Sequence, residues 1–244
     1  MKRILLTIQY DGTNFCGWQA QPGQRSVQKE IENQLEKIFE QKVELFASGR
    51  TDAGVHAKNQ FAHFDYDGKF EITHICNALA SYLPEDISVT CAKEVLPNFH
   101  ARFCVKQKIY RYICYVSEFK DVFLNKFALQ IKKMPNVQKI RQSAKYFIGT
   151  HDFSAFCASG SNILDHVRTI YNIKILENCN QIIFEFSGNG FLYNMVRIIV
   201  GTLLDVGCGK IQVEKIPEII ESKQRHNAGK TVQAHGLCLY DVVY

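Results

Sequence analysis

No Cys-x-x-Cys pair occurs in this chain, although it carries nine cysteines, at 16, 76, 91, 104, 114, 157, 179, 208 and 238. That odd, scattered set suggests neither a zinc site nor a disulfide framework. Several of the cysteines lie inside apolar runs, where a reduced thiol behaves as a small hydrophobe, so a reducing cytosol is the expected compartment. A membrane span is missing too. The apolar stretch over 191–204 is broken by Asn194 and Arg197 and falls short of the ~20 residues a bilayer requires. Lys2 and Arg3 precede Ile4-Leu5-Leu6 in the manner of a signal peptide, but Thr7, Gln9 and Asp11 end the run, which reads as a first strand. Gly188-Asn189-Gly190 lacks the third glycine of a dinucleotide fingerprint, since position 193 is Tyr193. Its amides are expected to bind phosphate or to make a tight turn. His151-Asp152 has no Gly-x-Ser-x-Gly elbow to complete a hydrolase triad. His56 and His63 stand too sparsely among other ligand types for a metal site and read as core or loop histidines.

What is present is a chain of 244 residues, 46% hydrophobic and 22% charged, enough for one large domain or two coupled halves with a real core. Its net charge of +5 permits a polyanionic partner without demanding one. Residues 4–9 read as a strand. Ser26 is placed to cap a helix whose apolar positions are Val27, Ile31, Leu35, Ile38 and Phe39. Strands are expected at 43–47, 60–64 and 87–92, and a helix at 72–83 that stops at Pro84. Further strands are expected at 106–116, 169–176, 182–186 and 237–243, with helices at 137–147 and 191–206. Strands and helices mix without strict alternation, so the expected class is α+β, a mixed, mainly antiparallel sheet with helices packed on it. No low-complexity tract or Pro-rich linker intervenes. The boundary is therefore soft, with 1–105 as an N-terminal half and 106–244 as a C-terminal half.

Three groups could carry chemistry. Gly49-Arg50-Thr51-Asp52-Ala53-Gly54-Val55-His56-Ala57 seats a carboxylate between two glycines, with Arg50 able to hold an anion beside it. An Asx-turn or helix cap is the plainer use of such an aspartate. From Ala101 to Ser117, Arg102, Lys106, Lys108 and Arg111 interleave with Phe103, Tyr110, Tyr112 and Tyr115, with no acid. Cations beside aromatic faces suit a nucleic-acid backbone and its unstacked bases, and alternation puts Lys106, Lys108, Tyr110 and Tyr112 on one side of a strand. A half-buried strand with a solvated charged edge is the alternative. Arg197 is the only charge in 190–204 and must snorkel outward or meet an acid.

Taken together, these strings resemble the tRNA pseudouridine synthase A family. The Asp52 loop is similar to its catalytic loop, Tyr10-Asp11-Gly12-Thr13 with Phe15 and Gly17-Trp18-Gln19 to its N-terminal motif, and Lys108 with Tyr110 to its substrate-stacking strand. Gly149-Thr150-His151-Asp152-Phe153-Ser154-Ala155-Phe156, then Arg168, then Gly188 to Leu192 and Met195-Val196-Arg197 follow the family's order. One departure is Val232-Gln233-Ala234, where the family usually has Ala-Pro-Ala. The resemblance implies one continuous sheet with a cleft between two similar halves. It implies isomerisation of uridine to pseudouridine at nucleotides 38, 39 and 40 of tRNA, on the 3′ side of the anticodon, with no cofactor and no metal. It makes Asp52 the nucleophile, or the base that promotes glycal formation, Arg197 its ion-pair partner, and Tyr110 the base-stacking residue with a further role in proton transfer. Arg50, His56, Lys108 and Arg168 become candidates for substrate binding, and a homodimer is expected. Two alternatives remain open at this point: a non-catalytic RNA-binding protein using the same basic segment, and a synthase of this family acting on another RNA uridine.

Overall fold

The computed structural model describes residues 1–160 and 163–244. It resolves into two compact units, one of Met1–Lys106 with Cys238–Tyr244, the other of Gln107–Leu237. Among the described residues there are ten strands, mostly in antiparallel pairs, and five α-helices, so the class is α+β.

In the first unit β1 (Lys2–Tyr10) lies between β3 (His56–Tyr66) and β4 (Ile87–Val95), antiparallel to both. The short β2 (Phe46–Ala47) pairs with β3, and the last strand of the chain, β10 (Leu237–Val243), runs parallel to β3 with Cys238 opposite His56. Ile4, Leu6 and Ile8 are fully buried, and Leu5 between them is nearly so, which makes β1 a central strand covered on both faces. The helix α1 (Val27–Phe39) buries Val27, Ile31 and Leu35 along one stripe. Ser26 occupies its N-cap position, but the hydroxyl makes no capping bond and is buried without a hydrogen-bond partner. Backbone carbonyls do that work instead: Val27 N–H donates to Gly17 O at 3.3 Å and Gln28 N–H to Trp18 O at 3.0 Å. Residues 72–83 divide into a 3₁₀ turn, Ile72–His74, and α2 (Ile75–Tyr82); Leu83, before Pro84, is extended.

In the second unit β9 (Gln181–Gly188) lies between β5 (Gln107–Val116) and β8 (Val167–Asn178), and β7 (Gly149–Asp152) borders β8. A short β6 (Leu129–Ile131) runs parallel to the end of β5. The helices are α3 (Val137–Ala144), α4 (Met195–Gly207) and α5 (Ile216–Ser222). Tyr112, Phe184, Phe186, Ile198, Ile199 and Leu203 fill the core. The expected helix over 191–206 starts only at Met195 because Asn194 takes a left-handed conformation, φ 59°, which a continuing helix cannot contain.

Candidate active site

Asp52 lies in the loop that joins the antiparallel strands β2 and β3. The loop closes on itself through Val55 N–H donating to Asp52 O at 3.1 Å, with Gly54 at φ 76° in the third position of the turn. That positive φ is what glycine supplies in a type II turn. Gly49, expected to use the same freedom, does not take a positive φ. It serves through its carbonyl, which accepts Gln60 Nε2 at 2.8 Å, while Ser48 N–H donates to Phe61 O at 2.7 Å. Asp52 is half-buried and Arg50 is exposed.

The N-terminal motif has a mechanical duty that its spacing does not reveal. Trp18 N–H donates to Thr51 O at 3.1 Å, and Gly54 N–H donates to Phe15 O at 3.3 Å, so the loop is bonded at both shoulders. Tyr10 and Thr51 share a hydroxyl hydrogen bond of 2.7 Å. Burial raises the Tyr10 phenol far above its ordinary range, keeping it protonated as a neutral partner. Gly12 and Gly17 let two backbones approach where no side chain fits. A Cβ on Gly12 would stand 2.0 Å from Val55 O, and one on Gly17 2.6 Å from Thr51 O and 3.2 Å from the Asp52 carbonyl carbon. His56 is buried, accepts Gly12 N–H at Nδ1 over 3.0 Å, and lies 3.2 Å from Asp11. Arg25 secures the motif from outside. Its guanidinium grips both oxygens of Asp86, at 2.7 and 2.9 Å, and lies 4.2 Å over the Phe15 ring.

In the second unit Tyr110 and Lys108 stand on β5, opposite Phe186 and Gly188 of β9. Tyr110 is 9% exposed, with its ring edge-on to Phe191 at 5.2 Å. Tyr112, two residues on, is fully buried and donates its hydroxyl to Gln233 O at 2.8 Å, which makes it a core residue. Lys106 belongs to the first unit, where its N–H donates to Val243 O at 2.8 Å. Arg168, at the start of β8, donates to the carbonyls of Asp165 and Val167 and crosses Gly190 at 3.7 Å from where a Cβ would be. The Asn189 N–H donates to Thr169 O at 3.0 Å, and the Asn189 side chain accepts Thr169 N–H at 2.9 Å, so Asn189 extends the pairing of β9 with β8 into a bend and not into a tight turn. Arg197 directs Nε to Val232 O at 2.8 Å and Nη1 to Asn194 Oδ1 at 2.5 Å. The 232–234 departure therefore supplies, through backbone carbonyls, a bond to Arg197 and one to Tyr112. Asp152, near the exposed His151-Ile148 turn, is held down to about 2 by Lys223 and Ser154.

Among the described residues no cluster of three or more His, Cys, Asp or Glu is arranged to hold a metal, and no helix is long and apolar enough to cross a membrane.

Comparison with known proteins gives the family. The sequence profile of the tRNA pseudouridine synthase family matches residues 6–104 and 143–244, which sets the class of protein. Similar proteins include tRNA pseudouridine synthase A 1 of Bacillus cereus, 49% identical over 245 residues, covering 100% of this chain and 99% of that one. The tRNA pseudouridine synthase A of Shouchella clausii is 46% identical over 245 residues, covering 100% and 94%, and that of Caldicellulosiruptor saccharolyticus is 46% identical over 244 residues, covering 100% of both. A chain of the solved archaeal box H/ACA sRNP Nop10-Cbf5 complex superposes with a TM-score of 0.38 at 11% identity, over 91% of this chain and 59% of that chain, a likeness too slight to carry an argument. The chain belongs to the tRNA pseudouridine synthase A family. It is an enzyme, an isomerase that converts uridine to pseudouridine in tRNA.

Proposed function

We propose that Asp52 is the catalytic carboxylate, that Arg197 is its ion-pair partner, and that Tyr110 is the face on which the target uracil stacks. The observation that carries the proposal is the clamp on the Asp52 loop. Phe15, Gly17 and Trp18 bond or abut the backbone of residues 51–54 and Tyr10 bonds the Thr51 hydroxyl, while Arg50 and Asp52 keep some exposure. A carboxylate held this way loses little freedom on reaching the substrate, which is the requirement for a positioned nucleophile or base.

The reaction breaks the bond from base N1 to ribose C1′, turns the uracil, and rejoins it through C5. No electrons are exchanged and no atoms are lost. Asp52 acts either by attacking C1′ or by taking a proton to promote a glycal, and in both routes it must be ionised. An arginine partner favours that state, and the bonds from Arg197 to Val232 and Asn194 fix the direction of its guanidinium. A stacked uridine must first be flipped out, at a cost of a few kcal/mol that stacking on an aromatic wall repays. Tyr110, backed edge-on by Phe191, suits that wall. Arg50, Lys108 and Arg168 are assigned to RNA contacts, and His56 holds the loop from behind through Gly12.

The family resemblance supports nucleotides 38, 39 and 40 as targets and a homodimer as the working form. Nine thiol cysteines suit a reducing cytosol. The test is to incubate the protein with unmodified tRNA transcripts and map pseudouridine at nucleotide resolution. Product at 38–40 supports the assignment. Product confined to other uridines would overturn the positional reading, and none at all would leave an RNA-binding role.

A further inference from the structure

The connection from β5 to β6 is tied down along its backbone yet turned inside out in its side chains. Its ends are joined by Ser117 N–H donating to Ile131 O at 3.1 Å, and Gln130 Nε2 donates to the carbonyls of Ser117 and Glu118 at 3.0 and 3.3 Å. Within it, Asp121 Oδ1 accepts the amides of Phe123 and Leu124 at 2.8 and 3.1 Å. Asp121 N–H meets the hydroxyl of Tyr115, a residue only 2% exposed, at 3.2 Å, and Asp121 O accepts Asn125 N–H at 2.9 Å. These bonds make a compact loop with close ends. Nevertheless Phe119 is 77% exposed, Val122 73% and Phe123 87%. An ordered loop that displays its phenylalanines to water marks a binding surface.

Charge selects the kind of partner. Lys120 and Lys126 are exposed among these apolar groups, and Lys132 and Lys133 follow just beyond β6. Within 117–133 the acids are Glu118 and Asp121, and the Asp121 carboxylate is already occupied by the loop's own amides. Lysine is depleted in protein interfaces, whereas aromatic faces beside cations suit unstacked bases and phosphates. Ser117 follows Tyr110 by seven positions along an extended strand. At about 3.3 Å per residue that puts the loop roughly 23 Å from the proposed stacking residue, well outside any pocket for one base.

We propose that residues 117–128 form a second RNA-contacting surface, which stacks on unpaired bases of the tRNA away from the target uridine while Lys120 and Lys126 meet its phosphates. The proposal rests on tRNA being the substrate and is independent of the roles given to Asp52 and Tyr110.

The test compares wild type with a Phe119→Ala, Phe123→Ala double variant and a Lys120→Ala, Lys126→Ala double variant, using full-length tRNA transcript. Loss of each stacked base should weaken tRNA binding by about 5- to 150-fold, so the phenylalanine variant should bind at least about 5-fold more weakly. Its single-turnover rate at saturating tRNA should stay at the wild-type value, which also reports an intact fold and catalytic site. The lysine variant should lower the slope of log affinity against log salt by about 1.4 to 1.8. Wild-type affinity in the phenylalanine variant, or an unchanged salt slope in the lysine variant, would overturn the proposal. Sedimentation velocity on the same samples covers the rival partner: lost self-association with unchanged tRNA affinity would assign the surface to a second copy of the chain, and that too overturns it.

Discussion

Gly17 stands so close to Thr51 that a methyl group on it would sit 2.6 Å from the Thr51 carbonyl oxygen. The contact joins the start of α1 to the loop that bears Asp52. Gly17 and Trp18 offer their carbonyls to the first amides of α1, while Trp18 N–H holds Thr51 O. The orphan donors of a helix and the aim of a carboxylate thus depend on one two-residue segment.

Gly17→Ala should therefore damage catalysis more than binding. Gly17 has φ 104°, where an L side chain is strained, and the added methyl must push Thr51 and Asp52 aside. The strain is on the order of 1–3 kcal/mol. A fall of at least about tenfold in single-turnover rate is expected, with tRNA affinity within about twofold of wild type. Wild-type kinetics in a folded Gly17→Ala protein would show that the clamp does not position the loop.

Arg197→Met removes the bonds to Val232 O and Asn194 Oδ1 along with the charge. Hydrogen bonds to charged groups contribute about 1.5–3 kcal/mol, so the melting temperature should drop as well as the rate. Arg197→Lys should recover part of the rate, because an ammonium restores the charge without the planar fork. Thermal melts and single-turnover rates on both variants check this. Full activity in Arg197→Met would leave Arg197 a purely structural residue.

For Tyr110 the two proposed duties lie on different atoms. Stacking needs the ring and is worth roughly 1–3 kcal/mol per base, whereas proton transfer needs the hydroxyl and its loss costs about 10² to 10⁴ in rate. Tyr110→Phe should bind tRNA normally and expose any chemical role as a slower single turnover. Tyr110→Leu should be slower still while continuing to bind, since phosphate contacts dominate affinity. A wild-type rate in Tyr110→Leu would move the stacking role to another residue.

The elements legible in the sequence are those with long periodic runs. The stripe of Val27, Ile31 and Leu35 marks α1, and Leu237 to Val243 is the last strand as expected. Short elements carry too few residues to declare a period: α5 has only Ile216, Ile219 and Ile220 as buried positions, and β6 and β7 have three and four residues. Ser26 misled because a cap can be replaced by carbonyls folded in from elsewhere in the chain. Site residues could be listed from their motifs, but the union of Tyr10 with Thr51 spans 41 positions and that of Gly12 with His56 spans 44. Such contacts arise from strand register, which local spacing does not encode.

Acid should loosen the first unit through His63. Burial lowers its pKa to about 4, with His100 and Arg3 adding smaller pushes in the same direction, and Nδ1 accepts Ala101 N–H at 3.2 Å. The folded state therefore keeps this ring neutral while the unfolded chain protonates near 6.5, so stability is full above about 6.5 and is lost as pH falls toward 4. The loss is on the order of 3 kcal/mol. Melting curves from pH 8 to 4 should show the decline, and His63→Gln should flatten it. An equal acid slope in His63→Gln would assign the decline to other groups.

The central claim is that Asp52 performs the isomerisation, and the most direct measurement is single-turnover pseudouridine formation by Asp52→Asn on purified, unmodified tRNA, with tRNA affinity measured on the same preparation. Asparagine preserves the shape of the side chain but neither attacks C1′ nor accepts a proton. The prediction is no detectable product, with affinity and melting temperature close to wild type, because the loop is held through the Thr51 hydroxyl by Tyr10 and through its backbone by Phe15 and Trp18. Appreciable turnover by Asp52→Asn would contradict the account.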